Sequence, residues 1–137
     1  MASKKFRLDV SSNNPMTLLG ILTDENDLKL SWMLNQELNI SLSRDEDMNW
    51  LSRELPNPLS LPVYSDMDSS IGPVRLIKNK SVEGLWIKGY KQVDYLIMIL
   101  GEILPDNQKA LMGKLQSMDI IRGAYLLDPE PLKDLIE

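Results

Sequence analysis

Two rhythms of hydrophobic and polar positions run along this chain. In Lys4-Lys5-Phe6-Arg7-Leu8-Asp9-Val10, Phe6, Leu8 and Val10 fall on one face, a period of two that predicts a first strand over 4–10. Ser11-Ser12-Asn13-Asn14-Pro15 breaks it, and 17–22 fits either a helical turn or a short strand. A period near 3.6 follows. Thr23-Asp24 offers an N-cap, Glu25 and Asp27 suit the positive end of a helix, and Leu30, Met33, Leu34 and Leu38 recur on one stripe, predicting a helix over 24–38. Leu28 and Trp32 lie beside that stripe and are expected to widen its buried face.

The stretch 39–54 is mostly polar, and Arg44-Asp45-Glu46-Asp47 is expected to open a short helix. Pro56, Pro58 and Pro62 then forbid regular helix and predict an extended connector. Runs at 61–66 and 74–79, separated by the turn-forming Met67-Asp68-Ser69-Ser70-Ile71-Gly72-Pro73, predict a hairpin. Leu85-Trp86-Ile87 is a further short run, and 93–100 is apolar almost throughout, as a central strand covered on both faces would be. Pro105-Asp106 starts a second helix, 105–118, with Leu104, Leu111, Leu115 and Met118 as its stripe, and 120–127 returns as a strand.

The order predicts one α+β domain over 1–137. Its expected form is a mostly antiparallel sheet with the two main helices on one face, a ferredoxin-like arrangement with an added strand. The unit 93–127 is expected to be a right-handed β-α-β crossover. At 137 residues the chain is long enough for a single self-sufficient core.

Composition narrows the chemistry. There is no Cys and no His, which excludes thiol nucleophiles, imidazole acid–base work and zinc sites of the usual ligand sets. The acidic pairs at 45–47 and 66–68 lack the spacing of a calcium loop, and no phosphate-cradling glycine loop occurs. No catalytic residue, metal or cofactor is therefore assigned. No apolar run reaches the length of a membrane span, and a cytoplasmic location is expected. The formal charge is −5, but 74–91 holds five bases (Arg75, Lys78, Lys80, Lys88, Lys91) against Glu83 alone.

Ile87-Lys88-Gly89-Tyr90-Lys91-Gln92-Val93-Asp94-Tyr95 resembles the signature of the IPExxxVDY family, small uncharacterised bacterial proteins, with Lys88-Gly89 standing where the name has Pro-Glu. Leu19-Gly20-Ile21, Asp27 to Asn35, Leu76-Ile77-Lys78-Asn79-Lys80-Ser81 and Ala124-Tyr125-Leu126-Leu127-Asp128 resemble further segments of the family in the same order. The resemblance implies a cytoplasmic bacterial protein and carries over no activity.

The residues singled out as partner- or ligand-contacting are Trp32, Asn35, Asn79, Lys80, Trp86, Tyr90, Lys91, Asp94 and Tyr95. Asp94 heads them: an acid inside an apolar strand must be paired, and Lys91 or a turn amide is the expected partner. Trp32 and Asn35 share a helix face, where core filling and capping are the commoner roles. The bases of 74–91 interleaved with Trp86 and Tyr90 imitate a nucleic-acid surface, although a solvated sheet edge guarded by lysines is the commoner meaning.

The sequence thus predicts a non-enzymatic interaction or regulatory domain. It is expected to form a homodimer through the sheet face left open by the helices, with room for another protein partner, no membrane and no nucleic acid. The alternative is a small-ligand sensor of ACT-like architecture, and the third reading is an enzyme limited to Asp, Glu, Lys and Tyr chemistry. With −5 overall, the protein is expected not to bind duplex DNA at physiological salt. Fluorescence anisotropy with a labelled duplex checks this, and sub-micromolar, salt-resistant binding would overturn it.

Overall fold

A computed structural model of the chain describes residues 15–50, 59–81 and 84–129. The predicted strand over 4–10 and part of the proline-rich connector lie outside these residues. The ambiguous 17–22 segment is strand: β1 spans Met16–Thr23, followed by helix α1 Asp27–Leu38, β2 Ser43–Arg44, β3 Met48–Trp50, β4 Leu59–Leu61, β5 Val63–Asp66 and β6 Val74–Lys78. Then come β7 Lys80–Ser81, β8 Gly84–Leu85, a 3₁₀ turn Lys88–Tyr90, β9 Tyr95–Leu100, helix α2 Pro105–Gln116 and β10 Ile121–Leu127.

Six strands form one antiparallel sheet in the order β10-β1-β9-β6-β5-β2, and the fold is α+β as its element order predicted. The β9-α2-β10 unit is present, but β1 lies between its strands, and β9 likewise lies between β1 and β6. The interleaving makes every neighbour antiparallel. The predicted hairpin is β5–β6, whose turn places Gly72 at φ 108°, a conformation that favours glycine, where a Cβ would come within 2.9 Å of the Leu100 carbonyl oxygen.

Helix α1 starts later than predicted. Thr23 is still strand, with its hydroxyl donated to the Ile120 carbonyl at 2.6 Å, so Asn26 takes the N-cap and its side chain accepts from the Lys29 N–H at 2.8 Å. Leu30, Leu34 and Leu38 are buried as predicted, whereas Leu28 and Trp32, expected in the core, are 69% and 60% exposed. The stripe is narrower than its apolar composition, because the sheet meets only one side of the helix. Leu104 caps α2 rather than joining its stripe and is exposed, while Leu111, Leu115 and Met118 pack inward.

The acidic run at 44–47 opens no helix. Arg44 pairs with Tyr64 in the sheet, and the Asp45 N–H donates to the Val63 carbonyl at 2.8 Å, because no helical apolar period follows the run to anchor a helix. Of the 85–87 run only Leu85 is strand, and it pairs with Lys80 outside the main sheet.

The sheet is covered on both faces. On one side α1 and α2 bury Leu19, Ile21, Tyr95, Ile97 and Ile99; on the other, Leu18, Leu96, Met98 and Ile77 pack under Met48, Leu59 and Leu61 of the β3–β4 hairpin and under Trp86, Ile87, Tyr90 and Val93. The open apolar face that motivated a homodimer is thus closed from within the chain. No helix among the described residues is long and apolar enough to cross a membrane.

Leu61 is fully buried in this second cover. Leu61→Ala is expected to cost about 2–5 kcal/mol in urea unfolding, through lost burial and a residual cavity. A variant with the wild-type midpoint would show that the hairpin is not part of the cooperative core.

Candidate functional site

The nine singled-out residues separate into two places. Asn79, Lys80, Trp86, Tyr90, Asp94 and Tyr95 gather where β6 ends and β9 begins. Lys91 is exposed on the turn before Val93. Trp32 and Asn35 stand apart on α1.

The first group is a structural joint. Asn79 is fully buried; its side-chain amide donates to the Tyr90 and Val93 carbonyls at 3.0 and 3.1 Å and accepts from the Ile87 N–H at 3.0 Å. Its backbone N–H donates to the Asp94 carbonyl at 2.9 Å, and its carbonyl accepts from Trp86 at 2.8 Å. One side chain therefore fixes the 86–93 loop over the second face of the sheet. Trp86 and Tyr90 are buried in that cover, and the Tyr90 hydroxyl donates to the Asp128 carbonyl.

Asp94 is held from three sides. Its carboxylate accepts from the Thr23 N–H at 2.9 Å and lies 3.3 Å from the Lys80 Nζ and 3.8 Å from the Arg122 Nη2, while its own N–H donates to the Ile21 carbonyl. Its partners are thus neither Lys91 nor a turn amide, but a strand amide and two cations brought by neighbouring strands. Arg122 also reaches Asp24 at 3.2 Å. Tyr95 is buried and donates to the Glu25 carbonyl at 2.8 Å; burial, reinforced by the charges of Asp27 and Asp94, pushes its phenol well above the ordinary value. The residues that carry the family resemblance at 20, 79–80 and 93–95 therefore meet here: Val93 presses on Gly20, where a Cβ would approach it to 2.9 Å.

The second place is a groove of about 420 Å³ between α1 and β2. Leu28, Ser31, Trp32 and Asn35 form one wall, Leu42, Ser43 and Arg44 the other, and Tyr64 the floor. Asn35 ties the walls together, accepting from the Leu42 N–H at 2.7 Å and donating to its carbonyl at 3.1 Å. Arg44 lies over the Tyr64 ring, 5.4 Å from its centroid, and pairs with Asp27 at 3.3 Å and with Asp47. The Tyr64 hydroxyl donates to the same Asp27 carboxylate at 2.8 Å.

Burial works against the Arg44 charge, but the Tyr64 hydroxyl and the carboxylates of Asp47 and Asp27 outweigh it and raise the guanidinium pKa further. Burial and the bond to Asp27 likewise raise Tyr64 above the ordinary phenol value, against the opposing effect of Arg44. With side chains 47%, 23% and 37% exposed, these ion pairs are worth about 0–1 kcal/mol each and hold the rim in place rather than the fold.

Sequence reasoning named Trp32 and Asn35 but missed Leu28, Asp27, Arg44 and Tyr64. A charge signal was available. The chain has twenty acids and fifteen bases, of which 24–47 holds seven and two, so this one segment carries −5 and everything else sums to zero. Among the described residues no group of three or more carboxylates is placed to hold a metal ion.

Asp94→Ala is expected to lower stability by about 1–3 kcal/mol, since it strands the Thr23 N–H in a largely buried position. Asp94→Asn keeps an acceptor and should cost less. Urea unfolding followed by circular dichroism measures both, and an Ala variant that unfolds with the wild type would overturn the structural role. No protein-family model matches the chain, and no curated protein is similar to it.

Proposed function

We propose that the protein is a cytoplasmic, non-enzymatic interaction domain that holds a segment of another protein in the α1–β2 groove. The observation that carries this reading is the pair Leu28 and Trp32, one helical turn apart, 69% and 60% exposed beside an apolar floor. Exposed apolar residues that adjoin one another at a groove mark contact surfaces where single ones do not, and Trp, Tyr and Arg are the side chains that dominate binding energy where proteins meet. All three line this groove.

The competing readings have less support. An enzyme built on Asp94 would need other acids beside it, and that carboxylate faces Lys80 and Arg122 instead. An anion sensor built on 74–91 would need Lys80, which lies 3.3 Å from Asp94. Membership in the IPExxxVDY family is proposed on the quoted residues alone, and their role in the joint is compatible with it.

Selection of random peptides displayed on phage tests the reading. Enriched peptides are expected to lose at least tenfold in affinity on Trp32→Ala, equivalent to about 1.4 kcal/mol or more, with the melting temperature unchanged because Trp32 is exposed. Selection that enriches nothing, or peptides indifferent to Trp32, would overturn it.

A further inference from the structure

The groove has a second property besides its apolar wall, namely that it runs along β2, one of the two edge strands of the main sheet among the described residues. In the β2–β5 ladder Ser43 faces Ser65 and Arg44 faces Tyr64, and the Asp45 N–H donates to Val63. In an antiparallel pair, backbone groups point alternately toward and away from the neighbour. Those of Ser43 and Asp45 therefore point to β5, and those of Leu42 and Arg44 point outward. Leu42 is satisfied by the Asn35 side chain, whose amide both donates and accepts as a backbone amide of an adjoining strand would. The Arg44 N–H and C=O, one step further along the same edge, have no backbone partner among the described residues.

We infer that the partner segment is extended and basic, and that it adds to the sheet beside β2. It exchanges backbone hydrogen bonds with Arg44, lays an apolar side chain against Leu28 and Trp32, and sets its cations against the acids of 24–47. The inference rests on the groove being the contact surface. Each part of the occupant follows from a separate feature. The outward Arg44 backbone asks for an extended chain, since strand addition supplies main-chain bonds while alternate side chains fill pockets. The exposed Leu28 and Trp32 ask for an apolar side chain at one of those alternate positions.

Charge fixes the rest. The acids of this segment outnumber its bases by five: Asp27 and Asp47 engage Arg44, the charged side chain in the groove lining, Glu25 engages Lys29 and Asp24 engages Arg122, which leaves the excess negative charge on the segment around the groove rather than in its lining. Complementary potentials steer association, and like charges are rejected. A second copy pairing β2 with β2 would bring two such acidic segments together, so the edge disfavours self-association and favours a basic strand of another protein. A lysine or arginine beside Trp32 gains further from the ring face.

The probe is a blocked hexapeptide of alternating lysine and leucine, titrated into the full-length protein and followed by amide chemical shifts and hydrogen exchange. Saturable binding is expected, with the Arg44 amide shifting and becoming protected, and with affinity falling as salt rises. The glutamate–leucine counterpart should bind at least tenfold more weakly. Two further peptides, N-methylated on the odd or on the even residues, separate strand addition from mere adhesion. One of them should lose at least tenfold, because one set of amides must face Arg44. Equal binding of the acidic peptide would overturn the charge assignment, and full binding by both methylated peptides would overturn strand addition. If the lysine peptide fails to bind while phage-selected peptides depend on Trp32, the partner's chemistry is wrong and the groove stands. If both fail, the groove itself is wrong.

Discussion

A strand that is apolar on both faces has to be covered twice, and the architecture of this protein follows from that requirement on β9. Tyr95, Ile97 and Ile99 face the helices, Leu96 and Met98 face the other way, and all five are buried. The helices satisfy one side. The other is closed by two pieces that contribute little regular structure, a two-stranded hairpin and the 86–93 loop, so the second cover depends on side-chain tethers rather than on a continuous ladder. A fully buried residue of this kind typically contributes about 1.5–3 kcal/mol, which makes the loss of either cover costly for a domain of this size.

The joint at Asn79 and Asp94 is what holds the loop part of that second cover in place. Asn79 uses its side-chain oxygen, its side-chain nitrogen and both backbone groups, and Asp94 binds the end of β1 to the start of β9. A buried polar network is stabilising only when its members are satisfied. Here the chain itself satisfies the groups that define it, which accounts for the packing role of these residues.

Much of this was legible in the sequence. The two helices, the β5–β6 hairpin and the central place of β9 follow from period and turn chemistry, and the α+β class follows from their order. Two things were not. Burial of Leu28 and Trp32 was inferred from composition, but helical spacing does not say how much of a helix the sheet will meet. The fate of 39–62 was hidden because its few apolar residues, Met48, Leu59 and Leu61 among them, are too sparse to show a period and reveal their role only when set against a face in need of cover. The groove was half visible. Trp32 and Asn35 are neighbours on a helix, yet Tyr64 and Arg44 join them only through strand pairing across twenty residues of chain.

The side chain of Asn35 has a further consequence. By occupying Leu42 it closes the sheet edge at one end, while Asp45, Glu46 and Asp47 crowd the other with negative charge. Among the described residues, what remains open on the β2 edge is a single residue wide. Amyloid-like growth needs a long, flat, uncharged edge that each added chain recreates for the next. An opening this short admits one strand and then offers nothing to copy, so on this side the protein can present bare backbone to solvent without seeding fibrils.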